Sequence, residues 1–218
     1  MKFCTIPCLL SLLFFNTFGQ TSDNTGLEND SIIVKSIPYP CELLDEPKEF
    51  KVLSNNSILM TAGPASDLHN PADGSFYKHN APKFLFTPDA TNFDFSAKVK
   101  PGFDNLYDGG AILVWSNEEN WAKVLIQNTG KKSILGISVV ENKITDDSYF
   151  NIDEAREIYL RITRKEKVFN FYSSPDGKVW TLIREFVYHK PAQIKIGFYS
   201  QSPVGSECKV EYSDISYR

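Results

Sequence analysis

The sequence predicts an all-β fold, one sandwich of antiparallel sheets, and three observations carry that expectation. From Phe50 onward, short apolar or alternating runs recur with turn signals between them, at the roughly 8–12 residue spacing of a sandwich. The chain holds 16 Phe and 10 Tyr among its 218 residues, a composition that suits strands packed on at least one face. No segment carries the apolar spacing of a strong amphipathic helix, and residues 152–157 have room for a single turn only. Neither an internal repeat nor a second domain boundary follows residue 45, and 218 residues suffice for one large β domain.

Lys2 gives the N-terminus a positive charge, residues 6–18 are largely apolar, and Thr17 and Gly19 are small residues placed for cleavage. Residues 1–20 are therefore expected to be a secretory signal, which places the mature protein outside the cell or in a periplasm. Residues 21–45 are expected as linker and lead-in: 21–30 is polar, and Pro38 and Pro40 restrict 32–40 to an edge strand or an extended approach. The domain proper is expected over 46–218. Its strands are predicted at 50–53, 57–62, 83–87, 93–100, 109–115, 121–128, 133–140, 158–164, 168–174, 179–186, 193–199 and 208–217. Asn55-Asn56, Thr129-Gly130 and Pro175-Asp176-Gly177 mark the clearest turns. Trp180 and Leu182, just after the last of these, are expected to pack.

The hairpin over 107–128 organises the pattern. Ala111-Ile112-Leu113-Val114-Trp115 is an unbroken apolar run, as in a strand covered on both faces. After the polar turn 116–120 the return strand alternates. Ala122, Val124 and Ile126 face the core, and Trp121, Lys123, Leu125 and Gln127 face the other way.

Charge and motif content exclude several classes. A net charge of −4 lacks the basic face that neutralises phosphates, so no nucleic-acid partner is expected. Beyond the signal, no apolar run approaches the roughly 20 residues of a membrane helix. There is no G-x-S-x-G elbow and no phosphate loop. Residues 65–74 gather Asp67, His69, Asn70 and Asp73, and the oxygen donors at alternating positions among them suit calcium in principle. The distal glutamate of a calcium loop is missing, so no metal and no cofactor are expected. Cys4 and Cys8 leave with the signal, and Cys41 and Cys208 remain as candidates for a disulfide that would close most of the mature chain. Glu207 and Glu211 share a strand face but flank Lys209; Asp146-Asp147 and Asp153-Glu154 fall in a segment read as a polar loop. Asp108 and Glu119, flanking the central hairpin, are the carboxylates available to an acid/base pair.

The segments ASDLHNP, NAPKFLF, FDFSAKVK, YDGGAILVWSNEENWAKVLIQ, REIYLRITRKEKVFNFYSSPDGKVW and IKIGFYSQSPVG occur in this order. Together, from about residue 47 to the end, they resemble the "regulation of enolase"-like family of concanavalin A-like lectin/glucanase jelly rolls. The most specific pieces are Tyr107-Asp108, Glu119-Asn120-Trp121 and the stretch from Gly197 to Pro203. The resemblance implies two curved antiparallel sheets with a glycan-accepting groove on the concave one. It carries no common activity, His69 departs from the bulky apolar residue usual at that point, and the acid-rich strand of laminarinase-type glucanases is absent.

Three functions follow as expectations. The first is a secreted, non-catalytic carbohydrate-binding domain. In it Trp121 stacks on a sugar, Tyr107 or Tyr199 forms a second platform, and Asp67, Asp108, Glu119, Lys123 and Gln201 bond hydroxyls. The second is a glycan-cleaving enzyme using Asp108 and Glu119, which requires the two carboxyls within about 10 Å. The third is an interaction module carrying a large apolar patch.

Overall fold

A computed structural model of the chain describes residues 31–188 and 193–218. The expected signal peptide, the polar stretch after it and His189 lie outside the described residues. The described residues belong to one compact unit, Ser31–Arg218.

Fourteen strands and no helix are found among them. They are β1 (Cys41–Leu44), β2 (Glu49–Val52), β3 (Ile58–Ala62), β4 (Lys83–Phe86), β5 (Asn92–Pro101), β6 (Gly109–Asn117) and β7 (Asn120–Asn128). The rest are β8 (Ser133–Glu141), β9 (Ile144–Asn151), β10 (Ile158–Lys165), β11 (Val168–Ser174), β12 (Thr181–Val187), β13 (Lys195–Gln201) and β14 (Cys208–Tyr217). They form two seven-stranded antiparallel sheets, ordered β1-β4-β13-β6-β7-β8-β9 and β12-β11-β10-β5-β14-β3-β2. The chain crosses repeatedly between the sheets, and the result is a jelly-roll β-sandwich.

Alternation decides what lies between the sheets. Phe84, Phe86, Ile112, Val114, Val124, Ile126, Ile196 and Phe198 of the first sheet meet Phe95, Val99, Leu160, Ile162, Phe171, Val210 and Tyr212 of the second. Rings link the layers: Phe198 stacks on Tyr212 with centroids 4.3 Å apart, and Phe95 lies 5.2 Å from both Phe86 and Phe198. Such pairs contribute about 0.5–1.5 kcal/mol each beyond the area they bury.

The first sheet also has a second apolar layer, on its outer face. Leu85, Ala111, Leu113, Trp115, Trp121, Leu125, Val140 and Tyr199 are covered there by Leu68 and Ala81 of the long segment 63–82. That cover explains why β6 is buried on both faces from Gly109 to Trp115. Lys83 fastens it: its fully buried ammonium donates to Asp45 (2.5 Å), Ala81 O (2.8 Å) and His79 O (2.9 Å), which satisfies all three donors.

Several expectations change. The lead-in is packed: Val34, Ile37 and Cys41 join the core, Ile32 bridges Cys41, and β1 is the edge strand beside β4. Residues 144–151, read as a polar loop around Asp146-Asp147, form edge strand β9. An edge strand buries little, so its sequence lacks the apolar alternation of the interior. Leu182 does not pack; it is 51% exposed. Cys41 and Cys208 are both buried free thiols on different sheets, donating to Tyr39 O and Gly102 O respectively, so no disulfide joins them.

Candidate functional site

The cover over the first sheet stops partway across, and strand register defines what remains open. One row across the outer face reads Tyr199, Ala111, Leu125, Gly136, Tyr149. The row on one side reads Leu113, Lys123, Ser138, Asp147, and on the other Gln201, Gly109, Gln127, Ile134. Between the cover and these rows lies a cavity of about 280 Å³. Lys123, Leu125, Gln127, Gly136 and Ser138 form its floor, and Asp67, His69, Tyr107, Tyr149, Gln201 and Pro203 its sides. Gly136 lies against the ring of Tyr149, with an added Cβ meeting that ring at 3.6 Å. Tyr149 itself is 62% exposed and Tyr107 47%.

Lys123 is the charged group at the floor. Its side chain is buried, its ammonium donates to Leu68 O, and it lies 5.1 Å and 5.4 Å from the ring centroids of Tyr199 and Trp121. Burial pushes its pKa down, and the carboxylates of Asp67 and Asp147 partly offset that. Burial also lowers the pKa of His69, helped by the Lys123 cation, so the imidazole is neutral near pH 7.

A hydrogen-bonded scaffold fixes the side walls. The Tyr199 hydroxyl donates to Gln201 Oε1, Leu68 N donates to Tyr199 Oη (3.1 Å) and to Asp67 Oδ1 (2.8 Å), and Gln201 Nε2 donates to Tyr107 O (2.7 Å). Tyr107 adopts φ 65°, a left-handed conformation that a bulky residue holds only when its surroundings enforce it. Asp108 is part of that enforcement. Its buried carboxylate accepts from Asn105 N (2.8 Å) and Ser202 Oγ (2.8 Å), and so anchors the turn presenting Tyr107.

The structure thus brings Asp67, Tyr107, Lys123 and Gln201 to one cavity and separates the other expected residues from it. Trp121 and Tyr199 are fully buried beneath the cover and have no ring face for a sugar to stack on. Asp108 is internal. Glu119 is at the tip of the β6–β7 hairpin, paired with Lys143 at 3.0 Å. Asp108 precedes β6 and Glu119 follows it; at about 3.4 Å per residue they are roughly 30 Å apart along the strand. An acid/base pair needs about 5–10 Å, so these two do not form one. Sequence reasoning missed Tyr149 because it rides on the unrecognised β9, and missed Ser138 and Gly136 because isolated small residues carry no signal. Gln127 was legible through its alternation with Lys123.

In the 65–74 loop, Asp67 and Asp73 accept from the backbone of Leu68 and Ser75. Among the described residues no three His, Cys, Asp or Glu are grouped to hold a metal ion, and no helix is long and apolar enough to cross a membrane.

The family model described as "Protein of unknown function (DUF1349)" matches residues 43–218. "Regulation of enolase protein 1" of Saccharomyces cerevisiae is 24% identical over 133 residues, covering 61% of this chain and 67% of the yeast protein. A crystal structure titled as a functionally unknown protein from Saccharomyces cerevisiae superposes with a TM-score of 0.71 at 21% identity, covering 82% of this chain and 95% of that one. The Bacteroides ovatus protein titled "Xyloglucan PUL GH43B" superposes at 0.60 with 16% identity over 75% of this chain, which spans only 32% of that larger protein. At these identities the solved structures establish the fold alone.

Proposed function

Because the chain belongs to the "regulation of enolase"-like family whose model is described as proteins of unknown function (DUF1349), we propose its activity from the site itself: secreted or periplasmic, non-catalytic binding of a glycan. The observation that carries this reading is the pairing of two exposed tyrosine rings, Tyr107 and Tyr149, with convergent polar groups on Lys123, Gln127, Ser138 and Gln201 around one cavity. A sugar presents apolar C–H faces and a rim of hydroxyls, and an aromatic wall with a few placed donors and acceptors complements both. The charge balance favours a neutral sugar. Asp67 and Asp147 already offset Lys123, and His69 adds no charge at neutral pH. The likeness to a GH43B protein supports the ligand class only as an analogy of fold.

A glycan-array screen tests the proposal, with Tyr149→Ala and Gln127→Ala alongside the unaltered protein. A retained neutral glycan that weakens at least tenfold in both variants, each with an unchanged melting curve, supports it; tenfold corresponds to about 1.4 kcal/mol. Binding that both variants leave intact removes the cavity from consideration. Any retained glycan is also incubated and checked for fragments, since cleavage would replace a binding role with a hydrolytic one.

A further inference from the structure

The outer face of the second sheet carries a second cavity, of about 400 Å³. Its floor is formed by Ser96 of β5, Tyr159 and Arg161 of β10, and Ser216 of β14. One wall is the β11–β12 turn, which folds back over the sheet. Gly177 lies so close to Tyr159 that a Cβ there would meet the ring at 2.9 Å, and Trp180 is placed with its ring centroid 5.3 Å from the Arg161 guanidinium. The opposite wall is a bulge in β14, where Asp214 takes a left-handed φ of 50° and accepts from the Tyr159 hydroxyl at 2.7 Å.

The charges around this cavity are unevenly committed. Asp94 accepts two hydrogen bonds from Arg161, and Asp214 has Lys98 at 3.8 Å. Asp176 spends its carboxylate on the amides of Lys178 and Val179 and on Ser174. Lys178 and Arg218 line the cavity, are exposed, and form no ion pair with a described residue. The hydroxyls of Ser96 and Ser216 likewise make no hydrogen bond to a described residue. Donors are therefore in surplus beside an aromatic wall.

From this arrangement we infer a second ligand site, for a sugar residue bearing a carboxylate. The saccharide ring lies along Trp180, the carboxylate is held between Lys178 and Arg218, and Ser96 and Ser216 bond ring hydroxyls. Lysine and arginine supply charge-assisted donors to the anion, and the indole supplies the apolar wall. This site is on the opposite sheet from the tyrosine-lined cavity and differs from it in charge, so the protein engages neutral and acidic saccharide units on its two faces.

Calorimetric titration of the purified protein with uronic-acid tetrasaccharides (galacturonate, guluronate, mannuronate and glucuronate types) tests it. Cellotetraose and inorganic phosphate serve as comparison arms. At least one uronate tetramer is expected to bind. Its affinity should fall tenfold or more in Trp180→Ala and in the double variant Lys178→Ala/Arg218→Ala, and stay unchanged in Tyr149→Ala. Lys178 and Arg218 are exposed, so the double variant retains the fold, and its melting curve checks that. No binding by any uronate tetramer overturns the inference, as does equal binding of phosphate alone or of cellotetraose. A loss in Tyr149→Ala instead of Trp180→Ala also overturns it, by assigning the uronate to the first cavity. The neutral-glycan reading stands or falls separately, because its array result depends on Tyr149 and Gln127.

Discussion

Lys123 and Asp108 show how a residue's role follows from what surrounds it. Both are buried ionisable groups on or beside the central hairpin, yet only Lys123 opens onto a cavity. Burial and the neighbouring Lys123 cation both hold the His69 pKa down. His69 is therefore expected to titrate below the ordinary value near 6.5 by NMR, and Lys123→Met is expected to move it upward by removing the cation. A histidine protonated less readily when folded contributes stability that is fully present above its unfolded pKa and is lost as pH falls from there through its folded pKa. Asp108→Ala leaves the buried Ser202 Oγ and the part-buried Asn105 N without this partner, and should cost about 1–3 kcal/mol in denaturant unfolding. Glycan affinity would fall with it, because Tyr107 loses the anchor for its left-handed turn. An unchanged unfolding midpoint would remove Asp108 from this scaffolding role.

At the scale of elements, strand pairing leaves fixed clearances. Gly197 on β13 faces β4 so closely that a Cβ would lie 1.9 Å from Phe84 O. Gly197→Ala must push the two strands apart, and a loss of at least about 1–3 kcal/mol is expected by thermal or chemical unfolding. Phe198 next to it joins the sheets through Tyr212 and Phe95 and stacks on Phe84 of its own sheet, and Phe198→Ala should cost about 3–5 kcal/mol. The interior strands were legible in the sequence because each buries a full face and must alternate or run apolar. β1 and β9, at opposite edges of the first sheet, were not, since edge strands are short or polar by necessity. The same gap hid Tyr149, and with it one wall of the cavity.

For the molecule as a whole, the described sandwich is held by its aromatic core, and its two described cysteines are free thiols. Cys41 is pushed up to about 12, first by burial and then by Glu42, and burial raises Cys208 as well, so neither thiol ionises readily in the folded state. Residues 41 and 208 should resist a thiol reagent at pH 8 until the protein unfolds, and the unfolding midpoint should be the same with and without reductant. A bridge closing so long a loop would raise stability by about 4–5 kcal/mol, a difference that the comparison detects easily.

Periodicity and turn chemistry are local and write themselves into neighbouring residues, so the all-β class, most strand positions and the two faces of the return strand could be read from the chain alone. The sequence also brought forward Asp67, Tyr107, Lys123 and Gln201. Which outward faces remain open depended on how distant segments pack. The cover formed by 63–82 takes Trp121 and Tyr199 out of reach of any ligand, and the length of β6 keeps Asp108 and Glu119 apart. The turn before β12 sets Trp180 over a second cavity in place of the core. Alternation tells which way a side chain points. What covers it is settled by segments distant in the chain, whose approach no local pattern records.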